Sequence, residues 1–288
     1  MGATVAQLWS VFKLRIGLAI MLCALAGLAV TPGPMPAAWQ IVLLALAVLL
    51  SAASAGAFNQ FVERDLDARM ARTRRRPFVT GEFRAGPLWL SVILLVLVLA
   101  VAMAAFALNV YVALHVFLGA FVYGVVYTVW LKTRTWMNIV LGGLAGSFAV
   151  LAGASAVDPG LATAPLILAL VLFLWTPPHF WSLATAMHKD YAKAGVPMLP
   201  VVVGDALAAK IILGHTIALV LLSLVPAAFG LGLIYLAGAA AGGGWFVITS
   251  LRLVEQPGPK AAMVNFKASL LQLGVLLLAA ILDRALLA

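Results

Sequence analysis

Nine long apolar stretches divide this chain of 288 residues, and most of them are long enough to cross a lipid bilayer. A transmembrane helix needs about 20 consecutive apolar residues, a length that the core helices of soluble domains seldom reach. Only 9% of the residues are charged, against about a quarter in soluble proteins. The sequence therefore predicts an integral membrane protein. Its apolar stretches lie near residues 14–31, 39–60, 88–108, 110–130, 137–157, 163–183, 209–230, 232–251 and 266–286.

The uninterrupted runs of Leu, Ala and Val predict helices, because the strands of a membrane barrel alternate between apolar and polar residues. We expect an all-α, polytopic bundle of about nine transmembrane helices that forms one membrane-embedded domain over residues 1–288. The polar stretches 62–87 and 184–208 are expected to cap it. Lys13 and Arg15 before the first stretch also resemble the start of a signal peptide, but eight further spans favour a retained first helix.

The distribution of basic residues predicts the orientation of the bundle. With a cytoplasmic amino terminus, 17 of the 18 lysines and arginines fall on the cytoplasmic side, and Arg284 alone falls on the other. Such an asymmetry is the signature of the positive-inside rule. We therefore expect the amino terminus inside, the carboxyl terminus outside, and both polar caps in the cytoplasm. The net charge of +9 then reflects topology, so we expect no nucleic-acid partner.

Small residues in two of the apolar stretches predict close contacts between helices. They are concentrated in the fifth stretch, with Gly142, Gly143, Gly146 and Gly153, and in "GAAAGGGW" of the eighth. We interpret them as packing positions rather than ligand positions. The single cysteine, Cys23, cannot form an intrachain disulfide and is expected to be a small buried apolar residue.

The stretch "NQFVERDLDARMARTRRRP", residues 59–77, concentrates charge immediately after the second apolar run. At about 100° per residue, Asn59, Glu63 and Asp67 fall within roughly 80° of one helical face. Asp65 lies off that face but could reach a metal ion through water. An amide with clustered carboxylates is an all-oxygen donor set that suits Mg²⁺. Because the following arginines can bind oxyanions, the stretch predicts a diphosphate site.

A simpler interpretation is that these acids form local ion pairs in a solvated loop. Helical neighbours three or four positions apart do pair, and Arg64, Arg69 and Arg72 are placed to do so. Four further features favour the functional interpretation: an asparagine aligned with two acids at the membrane boundary, a dense arginine cluster immediately after, a proline that ends the stretch, and a second polar loop predicted on the same side.

That second loop, with the span end before it, covers residues 175–205 and supplies the next candidate residues. Asp190 is the only acid between Pro159 and Val203, so we expect it to be the partner carboxylate from across the bundle. Pro177 and Pro178 are expected to break or kink the sixth span, which is tolerable only beside a cavity or a neighbouring helix.

The motifs resemble those of the intramembrane aromatic prenyltransferase (UbiA) superfamily, and within it the protohaem IX farnesyltransferases, or haem O synthases. The superfamily's first acidic motif, an asparagine followed by acids four and eight residues later, is matched by Asn59, Glu63 and Asp67. Glu63 departs from the usual aspartate, and "FKLRI" lacks the family's proline between lysine and arginine. Further matching stretches are Met70 to Pro77, "YTVWLKTRTWMNIVLGG" (127–143), "WTPPHFW" (175–181) and "DYAKAGVPMLPVV" (190–202).

The resemblance implies an enzyme that transfers a farnesyl group from farnesyl diphosphate to a vinyl group of haem B, with addition of water, giving haem O and diphosphate. It implies a Mg²⁺ site held by five side chains: Asn59, Glu63, Asp65, Asp67 and Asp190. The diphosphate is expected to be neutralised by four cations, Arg72, Arg76, Lys132 and Lys189. His179 is the expected axial haem ligand, with Trp181 beside it. Tyr127 and Trp130 are expected to stabilise the allylic cation.

The resemblance also implies a location and partners. We expect a bacterial inner membrane, a cytoplasmic active site entered from the lipid bilayer, and a haem A synthase or terminal oxidase downstream. Three alternatives remain: a related prenyltransferase acting on 4-hydroxybenzoate or a naphthoate, a membrane transporter, and a haem-handling protein without catalytic activity. Transporters usually place their functional charge near the middle of the membrane, whereas these acids gather at one edge.

Overall fold

The computed structural model describes the backbone of residues 2–287 and the side chains of residues 4–286, and all the regular structure in that part of the chain is helical. The elements are α1 (Gly2–Val11), α2 (Leu14–Val30), α3 (Ala38–Val62), α4 (Arg64–Asp67), α5 (Pro77–Thr80), α6 (Pro87–Ala107), α7 (Val110–Phe121), a π-helix (Val122–Leu131), α8 (Asn138–Gly142), α9 (Leu144–Ser155), α10 (Thr163–Ala186), α11 (His188–Ala194), α12 (Leu199–Val203), α13 (Asp205–Leu224), a 3₁₀-helix (Val225–Phe229), α14 (Leu233–Glu255) and α15 (Pro259–Leu287).

Within the described residues, eight helical segments are long and apolar enough to cross a membrane. A ninth span is formed if α1 and α2, which meet at an angle of 48°, are taken together. The predicted bundle of about nine helices is therefore confirmed, and its first span is bent. Predicted and observed boundaries agree to within a few residues for most spans, as for α6 against residues 88–108. The start of α15 extends further, to residue 259 against the predicted 266, and the start of α13 and the end of α14 each extend four residues beyond prediction.

Helix α10 runs unbroken through Pro177 and Pro178, so the break considered for the sixth span does not occur. The helix is buried over most of its length, and its neighbours hold it on several sides. Nearby hydroxyls also bind its carbonyl groups, with Thr176 donating to Leu172 and Ser182 donating to Pro178. The two prolines remove the N–H donors of the Phe173 and Leu174 carbonyls, which neither hydroxyl reaches, so packing against the neighbouring helices is what holds α10 unbroken through them.

Glycines allow α2 and α9 to approach each other at backbone distance. A Cβ atom added at Gly27 would overlap the Val150 carbonyl, and one added at Gly153 would overlap the Ala24 carbonyl. Gly238 and Gly243 of α14 are similarly crowded by side chains of α15 and α13. The packing interpretation is thereby supported for these positions. It does not extend to Gly146, whose added Cβ would meet no atom within 4 Å.

Since successive spans alternate in direction, the loops 63–86, 132–137, 187–198 and 256–258 gather at one end of the bundle. We call this the charged end. Two apolar clusters anchor its loops. One contains Phe78, Phe83 and Trp89, whose rings lie 4.9–6.2 Å apart and hold α5 against the membrane helices.

The second cluster, here called the loop cluster, joins the two polar loops to each other. Met70 comes from the first loop, Tyr191 and Met198 come from the second, and Trp181 comes from the end of α10; all four are at most 5% exposed. The residues that flank Asp67 and Asp190 therefore share one buried core.

Candidate active site

Asn59, Glu63 and Asp67 are buried at the charged end, with exposed fractions of 2%, 5% and 1%. Asn59 lies in the last turn of α3, which ends at Val62. Glu63 links α3 to α4, and its carbonyl accepts a hydrogen bond from the Asp67 N–H at 2.7 Å, so the helical path continues. Burial of two carboxylates is costly unless they are paired or bind a metal ion. We call these three side chains the donor row.

Each member of the donor row pairs with one cation, two of which come from distant parts of the chain and one from the same loop. Lys132 Nζ lies 2.5 Å from Glu63 Oε2, and the Arg76 guanidinium lies 2.6 Å from Asp67 Oδ2. Lys13 Nζ donates to Asn59 Oδ1 at 2.5 Å. Lys132 and Lys13 lie 69 and 46 residues away in sequence, and Arg76 lies 9 residues away. Among the described side chains, Arg64, Arg69 and Arg72 form no ion pair with these acids.

The orientation of the Asn59 amide follows from its partners. Its Nδ2 group donates to the Thr128 hydroxyl at 3.0 Å, and that hydroxyl donates in turn to the Tyr123 carbonyl at 2.8 Å. Lys13 can only donate, so the oxygen of the amide must point toward Lys13. Asn59 thus presents an oxygen on the same side as the two carboxylates.

One oxygen of the donor row has no partner within the described structure. Glu63 Oε1 is fully buried and makes no hydrogen bond, while Oε2 of the same carboxylate pairs with Lys132. A buried, unpaired carboxylate oxygen is costly unless a further ligand binds to it. The amide and carboxylate oxygens are the donor set that Mg²⁺ prefers, so these residues fit the predicted metal. No ready-made cluster of three or more acidic, histidine or cysteine ligands exists in the described residues.

The π-helix places three contacts of the site on one side. Tyr123 and Tyr127 stack with their ring centroids 5.5 Å apart, and Lys132 follows directly after the last π turn. In an α-helix at about 100° per residue, Lys132 would lie about 180° from Tyr123. The wider π turn, in which each N–H binds the carbonyl five residues earlier, returns Lys132 to the side of the tyrosines.

Asp190 occupies the first turn of α11 at the same end of the bundle and is half-buried. Its side chain makes no hydrogen bond or ion pair among the described residues, while its neighbour Tyr191 packs in the loop cluster with Met70. The two loops are therefore adjacent, as expected, but Asp190 does not belong to the donor row in this arrangement.

Several other predicted site residues lie at the exposed rim. They are Asp65, Arg72, Lys189 and Trp130, the last with 57% of its surface exposed. Tyr127 is half-buried, and its ring lies 5.7 Å from Lys132 Nζ. The structure thus brings together Asn59, Glu63, Asp67, Arg76, Lys132 and Tyr127, and leaves the four rim residues outside the buried part of the site.

His179 is buried inside the bundle, and its ring stacks between those of Trp175 and Phe266. The ring centroids lie 4.2 Å and 4.5 Å from that of His179. Its Nδ1 atom lies 2.7 Å from the Ser269 hydroxyl, which also has the Phe266 carbonyl at 2.7 Å. A hydroxyl donates one proton, so both contacts are satisfied only if His179 donates from Nδ1. Nε2 then carries the free lone pair that a metal would require.

Trp181, which is predicted to lie beside the haem together with His179, is 1% exposed and belongs to the loop cluster. Its indole N–H is fully buried and has no partner among the described residues. The His215 ring packs edge-on against the Trp181 indole, with the ring centroids 5.1 Å apart.

Comparisons with known proteins agree with this architecture. The model of the UbiA prenyltransferase family matches residues 20–273. Protoheme IX farnesyltransferase 2 of Paramagnetospirillum magneticum (strain ATCC 700264 / AMB-1) is 62% identical over 288 residues, covering 100% of both chains. Protoheme IX farnesyltransferase 1 of the same strain is 48% identical over 284 residues, covering 98% of this chain and 99% of the relative.

Two solved structures share the fold at low identity. A digeranylgeranylglyceryl phosphate synthase has a TM-score of 0.79 at 17% identity, covering 97% of this chain and 98% of its own. A UbiA homolog from Archaeoglobus fulgidus, bound to DMAPP and Mg²⁺, has a TM-score of 0.71 at 18% identity. The match covers 94% of this chain and 99% of the homolog.

Proposed function

The chain belongs to the UbiA prenyltransferase family, and we propose that it transfers a farnesyl group from farnesyl diphosphate to a vinyl group of protohaem IX. The relatives named protoheme IX farnesyltransferase, which cover the whole chain at up to 62% identity, support this choice of acceptor. The observation that carries the proposed chemistry is the donor row: two buried carboxylates and an amide oxygen, each already paired with a cation, at one end of an apolar bundle.

The oxygen atoms of Asn59, Glu63 and Asp67 would hold Mg²⁺, with Asp190 approaching from the second loop and Asp65 from the rim. A bound Mg²⁺ would supply positive charge to the leaving diphosphate. The chain's own cations do the same work. Arg76 and Lys132, which pair with the carboxylates, would turn from them to the diphosphate oxygens, and Arg72 and Lys189 would assist from the exposed rim.

The reaction breaks the bond between C1 of the farnesyl group and the diphosphate oxygen, which keeps the electron pair. The vinyl π electrons of the haem then form the new bond to C1. Water adds to the cation left on the porphyrin side and loses a proton, giving a hydroxyethylfarnesyl substituent. The stacked rings of Tyr123 and Tyr127 would stabilise the positive charge before the vinyl group attacks, and Trp130 would contribute from the lipid-facing rim.

We place the acceptor on the His179 side of the bundle. The Ser269 contact favours the tautomer with a free Nε2, which supports His179 as an axial ligand for haem iron, and Trp181 would line the path from the loop cluster. The positive-inside rule supports an inner-membrane location with the charged end in the cytoplasm, where the haem O product would pass to a haem A synthase or a terminal oxidase.

Mass spectrometry on purified full-length protein tests this proposal directly. Supplied with farnesyl diphosphate, haem B and Mg²⁺, the protein is expected to produce a haem whose mass increases by one farnesyl group and one hydroxyl. The same mixture without Mg²⁺, and one with 4-hydroxybenzoate in place of haem, serve as controls. Prenylation of the benzoate but not of haem would move the protein to the related prenyltransferases, and the absence of any prenylated product would refute the proposal.

A further inference from the structure

Lys13 completes a set of three cations around the donor row, although its position in the sequence suggests only a topological role. It lies at the bend between α1 and α2 in the left-handed conformation, with φ 48° and ψ 42°. A residue other than glycine adopts this conformation at a cost of roughly 1–2 kcal/mol, so surrounding contacts must hold it there. Its Nζ contacts Asn59 Oδ1 at 2.5 Å and the Tyr123 hydroxyl at 3.1 Å.

Neighbouring residues of α3 hold Lys13 in this position. Gln60 donates to the Ser10 carbonyl at 2.7 Å, which fixes the end of α1 on α3. Gly56, one turn before Gln60, leaves room for the lysine stem, since an added Cβ would lie 3.2–3.3 Å from three of its carbon atoms. Lys13 is therefore directed to the donor row by several independent contacts.

The charges of this arrangement are unbalanced in a specific way. Lys13, Arg76 and Lys132 face Glu63 and Asp67, so with all five side chains ionised the group carries one excess positive charge. A divalent ion alone would raise that excess to about +3, and a prenyl diphosphate alone, with about three negative charges, would lower it to about −2. The ion and the diphosphate together leave the group near neutrality. Charges about 4 Å apart interact by several kcal/mol, so this difference is large.

We infer that Lys13, Lys132 and Arg76 are exchangeable counter-ions, which pair with the donor row and would turn to the diphosphate when a metal ion takes their place. This inference rests on the proposed function and adds two features to it. Lys13 becomes a substrate-positioning residue, and the metal and the diphosphate bind cooperatively, each strengthening the other by the same factor. The unpaired Glu63 Oε1 offers the metal a first contact before any cation has moved.

Binding measurements that need no turnover test the inference. Mn²⁺ would be titrated into the purified full-length protein without diphosphate, with free Mn²⁺ followed by electron paramagnetic resonance. Retention of radiolabelled pyrophosphate would be measured by equilibrium dialysis with and without Mg²⁺. The variants are Lys13→Gln and Lys132→Gln. Their matched controls are Arg15→Gln and Arg134→Gln, which remove an equal charge from exposed neighbouring positions.

The two lysine variants are expected to change the two affinities in opposite directions. Removal of a competing cation should tighten Mn²⁺ binding at least about threefold, whereas pyrophosphate retention with Mg²⁺ should fall about tenfold. The two controls should change neither affinity more than twofold. A variant that is merely misfolded would lose both affinities, so the opposite signs identify the exchange.

Two results would overturn the inference, and they can be told apart. If the wild-type protein retains no pyrophosphate with Mg²⁺, the proposed diphosphate site itself fails. If the wild type retains pyrophosphate but Lys13→Gln and Lys132→Gln bind Mn²⁺ no more tightly than wild type, the diphosphate site stands and the counter-ion exchange is refuted.

Discussion

The Asp67 carboxylate offers the most direct test of the candidate site, because it is 1% exposed and pairs with Arg76 at 2.6 Å. In Asp67→Asn the side chain keeps its size and an oxygen that can accept from the guanidinium, while one negative charge is lost. The fold should therefore survive, and the thermal midpoint in detergent should change by only a few degrees. The donor row, however, loses half of its negative charge.

The expected loss of activity follows from the charge lost. Two unit charges about 4 Å apart near a protein surface interact by about 4 kcal/mol. Asn59 and Glu63 remain as donors, and the neighbouring cations can shift, so only part of this energy is lost. We expect about 2.7 kcal/mol less transition-state stabilisation, which corresponds to an approximately hundredfold decrease in kcat/KM.

The assay is initial-rate formation of farnesylated haem, measured by mass spectrometry at several Mg²⁺ concentrations. Glu82→Gln is the matched control, because Glu82 is an exposed acid of the same loop whose partner is Gln7; it should keep wild-type activity. Asp65→Asn should lower kcat/KM by less than about tenfold, since Asp65 is exposed at the rim. If Asp67→Asn kept more than a tenth of wild-type activity while folded, the donor row would not be the catalytic centre.

Two further predictions concern packing and the acceptor side. Gly27→Ala should lower the yield of folded protein and its thermal midpoint, because the new methyl group would overlap the Val150 carbonyl at a cost of about 1–3 kcal/mol or more, whereas Gly146→Ala should be tolerated; equal midpoints would contradict this packing. His179→Ala should alter the absorption spectrum of bound haem, and Ser269→Ala should alter it less, since the serine only orients the ring. An unchanged spectrum in His179→Ala would remove the ligand assignment.

The spans and the donor row could be predicted because each depends on a short-range pattern. Apolar length predicts a span, and a spacing of four residues predicts a shared helical face. Asn59, Glu63 and Asp67 are accordingly buried together even though α3 ends between the first and second of them. The predicted start of α13 at residue 209 is four residues late, because the charge of Asp205 is typical of a polar loop. In the structure it lies in the first turn of the helix and pairs with His188 at 2.8 Å.

The partners of the donor row could not be predicted, because they depend on how distant segments meet. The arginine cluster offers six candidates for Asp67, and spacing alone favours the nearer ones. The aromatic cluster around Phe78 decides the outcome by fixing α5, which brings the neighbouring Arg76 to the carboxylate. Lys13 is less predictable still, because its approach to Asn59 requires a left-handed residue at a bend within an otherwise apolar segment.

The π-helix shows why the site needs an irregular span. Tyr123, Thr128 and Lys132 all contact the donor row or its cations, yet on a regular α-helix Lys132 would lie about 180° from Tyr123. A regular α-helix could turn either Tyr123 or Lys132 toward α3, but it could not turn both toward α3 at once. The wider turns of the π-helix bring Tyr123 and Lys132 to the same side of the span, although this backbone geometry is rarer than the α-helix. The fold accepts this geometry where the span meets the two buried carboxylates, which supports a functional rather than a packing origin for the π-helix.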